Sequence, residues 1–113
     1  MAPGEIHLAR FPYGGSAETK LRPVLLLTSP IGPVPEILCA YISSELPLTL
    51  LSTDILLDPH LPEHASTNLK AVSVVRLHKL ATLHRRSFVR VLGSVSVATM
   101  AEVSGRLRSL LML

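Results

Sequence analysis

The sequence GGSAETKLRPVLLL, residues 14–27, joins a glycine turn to a charged segment and then to an apolar run. Its two leading glycines tolerate positive φ and allow a tight loop, and Pro23 restricts Arg22 to extended geometry where a strand begins. A guanidinium that is always charged is thereby held beside a core strand. It is costly to bury without an anion, and its planar fork matches the paired oxygens of a phosphate. A second interpretation stays open, in which Arg22 forms a structural salt bridge with Glu18.

The composition indicates one cytoplasmic domain over residues 1–113. Of these residues 48% are hydrophobic and 17% are charged, which suits a buried core of single-domain size. The net charge of +3 favours an anionic partner, although a solvated basic surface has the same composition. Cys39, the lone cysteine, lies in an apolar run and is predicted to be a buried thiol. The sequence shows neither a signal peptide nor a membrane span, so we expect no membrane association.

Short apolar stretches alternate with segments rich in proline and glycine, which is typical of a mainly β protein. The predicted strands are residues 6–11, 24–28, 36–42, 54–57, 72–77 and 88–92. Nine prolines, most of them between these strands, argue against long helices in the first two thirds of the chain. We therefore predict a small β-barrel.

The C-terminal segment is predicted to form a helix that packs on this barrel. Ser96 is a suitable N-cap, and one face then carries apolar residues at helical spacing. These residues are Met100, Val103, Leu107, Leu110 and Leu111. A shorter helical turn is predicted at residues 79–83.

Several common chemistries lack support in this sequence. The five histidines, His7, His60, His64, His78 and His84, show no ligand-like spacing with one another or with Cys39. A P-loop, a GxGxxG motif and a GxSxG motif are absent. We therefore predict no metal and no other cofactor, and any catalysis must use few groups.

The segment AYISSE, residues 40–45, supplies hydroxyl groups at the end of the third predicted strand. Ser43 and Ser44 point to opposite sides of a strand, so one of them is expected to share a cleft with Arg22. A hydroxyl beside a guanidinium is able to hydrogen-bond a phosphate oxygen. The alternative is ordinary turn chemistry, in which serine starts a loop.

Taken in order, these segments resemble the PemK/MazF family of toxin endoribonucleases of type II toxin–antitoxin systems. The resemblance is carried by GEIHLARFP, KLRPVLLL, AYISS, DILLDP, SVVRLHKLATL and the serine-capped helix, and spans nearly the whole chain. Its most specific element is RPVLLL together with a later strand that ends in a hydroxyl residue. The resemblance implies an SH3-like β-barrel with a C-terminal α-helix, usually in a homodimer.

The resemblance also implies an activity, the metal-independent cleavage of single-stranded RNA, including mRNA, without a cofactor. Attack by the ribose 2′-hydroxyl would leave a 2′,3′-cyclic phosphate and a free 5′-hydroxyl. Arg22 matches the family's catalytic arginine, and Ser43 matches the threonine or serine that acts with it. Glu18 and Ser44 are possible accessory residues.

Two departures from the family pattern leave the general acid and base unassigned. Some members carry a glutamate and a histidine where this chain has Ala17 and Leu21, neither of which can transfer a proton. A decayed toxin that binds antitoxin or RNA without cleaving is therefore one alternative. A protein-binding toxin of the same fold, like the gyrase poisons of the CcdB type, is another.

The resemblance implies two partners, RNA and an antitoxin. In the family, RNA lies in a basic groove between the loop before the arginine and the segment that here reads RLHK. The candidate RNA-binding residues are Tyr13, Lys20, Arg76, His78 and Lys79. A solvated polar face is the other interpretation of these residues. The implied antitoxin carries an acidic and apolar C-terminal segment that fills the groove.

Overall fold

Six strands and one helix build the computed structural model, which describes residues 1–12 and 19–113. The strands are β1 (Glu5–Pro12), β2 (Thr19–Leu26), β3 (Glu36–Ser43), β4 (Asp54–Leu57), β5 (Ser73–His84) and β6 (Phe88–Ser94), and the helix is α1 (Val97–Leu111). Two short 3₁₀ helices, Pro62–Thr67 and Arg85–Ser87, connect them. The predicted mainly β fold with a C-terminal helix is confirmed.

The strands form one antiparallel sheet in the order β4-β5-β3-β2-β1-β6. Among the described strands, β4 and β6 form the edges and do not pair with each other, so the predicted small barrel is a loose one whose sheet is not closed. The outer edge of β6 meets the end of the 3₁₀ helix Pro62–Thr67 instead. Ser66 Oγ donates to Ser94 O at 2.8 Å, and Asn68 Nδ2 donates to Leu92 O at 2.8 Å. These bonds occupy carbonyls that a closing strand would use.

Gly93 permits this close approach of the 3₁₀ helix to β6. A Cβ at this position would lie 2.6 Å from Thr67 O and would also meet Ser66 O, both of which are backbone atoms. Thr67 itself is fully buried, and its hydroxyl donates to His64 O at 2.8 Å. The glycine therefore fixes the position of the segment that follows the 3₁₀ helix.

The sheet buries apolar side chains on both of its faces. Leu25 of β2 joins a cluster that also contains Val103 of α1, whereas Val24 and Leu26 join a second cluster. All three residues of β2 are fully buried. This part of β2 is therefore a rigid support for the residues that precede it.

Helix α1 begins as predicted at Ser96, whose Oγ accepts a hydrogen bond from Thr99 N–H at 3.1 Å. Val103 is fully buried, and Met100 and Leu107 pack against its cluster. Leu110 and Leu111, from the same predicted stripe, remain 38% and 53% exposed, because the last turn extends beyond the core.

The helical turn predicted at residues 79–83 is wrong, because this segment belongs to the twelve-residue strand β5. Leu80 pairs with Ala40 and Ala81 with Cys39 of β3, so long-range pairing overrides a weak local preference. The prediction for Cys39 is confirmed. Its thiol is fully buried, donates to Ala81 O at 3.4 Å, and has a pKa that burial raises to about 12. In the part of the chain that the structure describes, no helix is long and apolar enough to cross a membrane.

Candidate active site

Strands β2 and β3 separate at the start of the apolar run. Their paired residues end with Val24 opposite Tyr41, and Pro23 has no N–H with which to continue the hydrogen bonding. Both strands nevertheless run on past this point. Continuing the register by two residues sets Arg22 across from Ser43.

The separation forms one wall of a cleft of about 420 Å³, within the range typical of small-ligand sites. A second wall is supplied by the segment after the 3₁₀ helix Pro62–Thr67, together with β6. The polar lining residues are Arg22, Ser43, Ser44, Glu45, Asn68, Lys70, Ser73 and Arg90. The structure thus brings Arg22, Ser43 and Ser44 together as lining residues of one cleft.

Arg22 is half-buried at this cleft, and one of its Nη atoms donates to Leu21 O at 3.1 Å. Its backbone is fixed on both sides, by pairing with Ala9 of β1 and by the buried residues that follow it. The charge is therefore held near the cleft by a rigid strand. Glu18, the alternative salt-bridge partner and possible accessory residue, lies outside the described residues.

Ser43 combines turn chemistry with a position in the cleft. Its Oγ accepts a hydrogen bond from Glu45 N–H at 3.1 Å, as in a serine turn. Its contact with Glu45 O, at 3.5 Å, is at the limit for a hydrogen bond. The Ser43 oxygen is thus oriented as an acceptor by Glu45 N–H, and the hydroxyl proton can be donated to an anion. Ser44 is exposed at the same cleft.

Among the predicted RNA-binding residues, Lys79 lies close to a lining residue of the cleft. Its Nζ is 5.6 Å from the ring centroid of Tyr41, within the range of a cation–π contact. The ring of Phe11 packs against the same tyrosine, with 5.2 Å between centroids. Because Tyr41 is only 5% exposed, it supports the wall and is not a stacking platform for bases.

The structure does not bring Arg76, His78 or Lys20 to the lining of the cleft. Arg76 Nε instead donates to the fully buried carboxylate of Asp54 at 3.0 Å. His78 Nδ1 lies 2.9 Å from Thr53 Oγ1, and Lys20 is an exposed residue of β2. Tyr13 lies outside the described residues. The charge of Arg76 is thus largely compensated inside the fold.

Sequence reasoning missed Lys70 and Arg90 as residues of the cleft. Arg90 alternates with valines in β6 and resembles an ordinary solvent-facing strand residue, and Lys70 lies in a loop. The missing information was the strand order. Leu8 of β1 pairs with Arg90 on one side and with Pro23 on the other, which leads from β6 to the mouth of the cleft.

The residues of this cleft suit an anionic ligand better than a metal. Among the described residues, its lining carries three cationic side chains and one carboxylate, that of Glu45. Over residues 1–12 and 19–113, no three His, Cys, Asp or Glu side chains form a group that could hold a metal ion. A phosphate flanked by a guanidinium and a hydroxyl fits this lining.

Solved structures of toxins share this fold. Toxin MazF-mt6 of Mycobacterium tuberculosis is 22% identical with a TM-score of 0.72, covering 96% of this chain and 97% of its own. A mycobacterial endoribonuclease in complex with its cognate antitoxin is 17% identical with a TM-score of 0.69, covering 100% and 96%. MazF of Deinococcus radiodurans is 22% identical with a TM-score of 0.68, covering 99% and 96%. Identities this low show a common fold.

Sequence comparison assigns the family. A comparison with curated protein sequences finds no significant match. The family model of the PemK-like, MazF-like toxin of type II toxin–antitoxin systems, however, matches residues 2–111. This match covers nearly all of the chain, including both walls of the cleft. The chain therefore belongs to the PemK-like, MazF-like family of toxins of type II toxin–antitoxin systems.

Proposed function

We propose that this chain, as one toxin domain over residues 1–113, is an endoribonuclease that cleaves single-stranded RNA such as mRNA. The observation that carries the proposal is the position of Arg22 and Ser43 in the lining of one cleft. Family membership supports the same activity, since toxins of this family are known generally as endoribonucleases. The reaction requires no metal or other cofactor, because RNA supplies its own nucleophile.

In this reaction the ribose 2′-oxygen forms a bond to the adjacent phosphorus, and the bond from phosphorus to the 5′-oxygen breaks. The products are a 2′,3′-cyclic phosphate and a free 5′-hydroxyl. The Arg22 guanidinium stabilises the charge that develops on the phosphoryl oxygens, and the Ser43 hydroxyl donates to one of them. Both groups are held by the fold before substrate binds, so little reorganisation is needed.

Proton transfer is assigned to Glu45, the carboxylate among the described lining residues of the cleft. Its backbone N–H donates to Ser43 Oγ at 3.1 Å, so Glu45 adjoins the proposed catalytic hydroxyl. The carboxylate takes the proton of the 2′-hydroxyl, and water protonates the leaving 5′-oxygen. We expect Glu45→Gln to slow cleavage about 10²-fold, whereas Glu36→Gln, far along β3, leaves the rate unchanged. A wild-type rate for Glu45→Gln would remove this assignment.

The RNA strand continues from the cleft across basic residues of the neighbouring surface. Lys79 lies beside the Tyr41 wall, and Lys20, His78 and Arg76 lie on β2 and β5. Contacts of such residues with phosphates would set affinity, whereas base contacts would set the cleavage sequence. Tyr13 remains our candidate for base stacking.

An antitoxin is the proposed protein partner. The mycobacterial endoribonuclease that shares this fold was solved with its cognate antitoxin, and the Deinococcus radiodurans toxin was solved as a MazE–MazF complex. A disordered segment with acidic and apolar side chains suits the cleft of this chain, since Arg22, Lys70 and Arg90 surround apolar lining such as Leu92. Binding there would cover the catalytic arginine.

A homodimer is the proposed assembly. The last turn of α1 exposes Leu110 and Leu111, and the loop at residues 44–53 exposes four leucines including Leu48. The two segments adjoin, because Arg106 of α1 donates to Ser52 O at 2.8 Å. Adjacent apolar surface of this kind favours association with a second copy. Sedimentation velocity should show a dimer for the wild type and for Val34→Lys, and a monomer for Leu111→Lys.

The proposed activity is tested by incubating purified protein with mixed-sequence single-stranded RNA in EDTA. Discrete fragments with cyclic phosphate ends, identified by mass spectrometry, are expected from the wild type and from Arg108→Ala, whose side chain is exposed on α1. Arg22→Ala should leave the RNA nearly intact. Intact RNA in every tube, with folded protein free of antitoxin, would favour a decayed toxin. Inhibition of gyrase supercoiling would then indicate a protein-binding toxin.

A further inference from the structure

We propose that Lys70 and Arg90 form a second phosphate-binding subsite, which holds a phosphate of the RNA strand next to the one that is cleaved. This inference rests on the proposed function, because it assigns the substrate's neighbouring phosphate to the second wall of the cleft. Both side chains belong to the lining of the same cleft as Arg22 and Ser43. Neither residue was among those that the sequence pointed to.

The loop that carries Lys70 is hydrogen-bonded to β6, the strand that carries Arg90. Asn68, in left-handed geometry with φ of 54°, ends the 3₁₀ helix and donates from Nδ2 to Leu92 O at 2.8 Å. Gly93 lets the backbone of Thr67 approach β6 closely. The hydrogen bond between the loop and the strand is made by Asn68, two residues before Lys70, and Leu92, two residues after Arg90. The backbone positions of the two cations are therefore set relative to each other.

Within the described residues, the charges of Lys70 and Arg90 are not compensated. Neither side chain takes part in a hydrogen bond or an ion pair in that part of the chain, and both are exposed. Arg76 and Arg106 differ in this respect, since Arg76 pairs with Asp54 at 3.0 Å and Arg106 pairs with Glu102 at 2.9 Å. Two uncompensated cations on one wall of a cleft favour an anionic ligand.

A single-stranded RNA supplies phosphates at regular intervals, and Lys70 and Arg90 line the same cleft as Arg22, so we assign them the phosphate next to the scissile one. The Arg90 guanidinium suits paired phosphate oxygens, and the Lys70 ammonium acts as a point charge. Such contacts fix the register of the strand and carry no sequence information. Because they exist before and during the reaction, they strengthen substrate binding more than they accelerate the chemical step.

The subsite is tested by fluorescence anisotropy with a labelled, mixed-sequence 2′-fluoro RNA oligonucleotide, which cannot be cleaved, at several KCl concentrations. We expect Lys70→Ala/Arg90→Ala to weaken binding about tenfold. The slope of log K against log salt should fall by about 0.7, the value for one phosphate on a single strand. In single-turnover cleavage of ordinary RNA, the half-saturating protein concentration should rise while the maximal rate stays within about twofold.

The matched control is Arg85→Ala/Arg108→Ala, which removes the same charge from exposed positions outside the cleft. Circular dichroism establishes that each variant is folded. An affinity and a salt slope equal to those of this control would overturn the subsite, while the cleavage activity of the wild type would leave the proposed function standing. A folded wild type that neither binds the probe nor cleaves RNA would overturn both.

Discussion

Replacing Gly93 with alanine should destabilise the protein through a backbone collision. The added Cβ would lie 2.6 Å from Thr67 O, whereas ordinary contact begins near 3.4 Å, so the backbone must move by at least about 0.8 Å. Overpacking of this kind costs about 1–3 kcal/mol. The displacement also strains the bonds of Ser66 and Asn68 to β6, each contributing about 1 kcal/mol. The free energy of unfolding should therefore fall by about 2–4 kcal/mol.

Thermal unfolding followed by circular dichroism measures this effect. For a chain of this length 1 kcal/mol corresponds to about 4 °C, so Tm should fall by about 8–16 °C. Gly105→Ala is the matched control, because a Cβ on this exposed helical glycine meets nothing within 4 Å. That variant should gain about 0.5–1 kcal/mol from the better helix propensity of alanine. A Tm for Gly93→Ala within about 2 °C of the wild type would refute the close approach of the 3₁₀ helix to β6.

Three further predictions concern the site and the core. Arg22→Ala should lower the single-turnover cleavage rate about 10²–10³-fold and Ser43→Ala less; near-wild-type cleavage by Arg22→Ala would contradict the catalytic assignment. Asp54→Ala leaves the Arg76 charge unpaired and should lower the free energy of unfolding, measured in urea, by about 3 kcal/mol. An unchanged urea midpoint of unfolding would count against a stabilising ion pair. Burial raises the pKa of the Cys39 thiol from 9.0 to about 12, so between these pH values the thiol ionises in the unfolded chain but not in the folded one. The contribution of Cys39 to the free energy of unfolding is therefore complete below pH 9 and is lost as pH rises toward 12. Wild-type stability should therefore fall more steeply than that of Cys39→Ala between pH 9 and 11, and equal slopes would rule out a buried neutral thiol.

Local patterns predicted the elements of this fold better than their arrangement. Short apolar stretches separated by segments rich in proline and glycine located all six strands, and Ser96 marked the start of α1, because these features depend on neighbours in sequence. The predicted fifth strand ends at residue 77 and is followed by a predicted helical turn, whereas in the structure β5 continues to His84. Its second half is defined by pairing of residues such as Leu80 with β3, which no local pattern reveals.

The candidate site was predicted on one wall only. Arg22 directly precedes Pro23 and a buried apolar run in β2, and Ser43 is the last residue of β3, so the sequence marks both. Arg90 lines the cleft because of the strand order β2-β1-β6. Lys70 lines it because the loop after the 3₁₀ helix Pro62–Thr67 packs against β6. Arg76 shows what the sequence does not reveal about a predicted RNA-binding residue, since its guanidinium is paired with the buried carboxylate of Asp54 in the structure.

Two residues with unusual backbone properties, Pro23 of β2 and Gly93 of β6, stand beside the two groups of residues that line the cleft. Pro23 lacks the N–H that would continue the pairing of β2 with β3, so the strands part beside Arg22. Gly93 lacks the Cβ that would keep the loop bearing Lys70 away from β6. One residue thus opens the wall proposed to act on the phosphate, and the other sets the wall proposed to hold the strand. If both proposals hold, substitutions at Pro23 should change mainly the rate of cleavage, and substitutions at Gly93 should change mainly RNA affinity and stability.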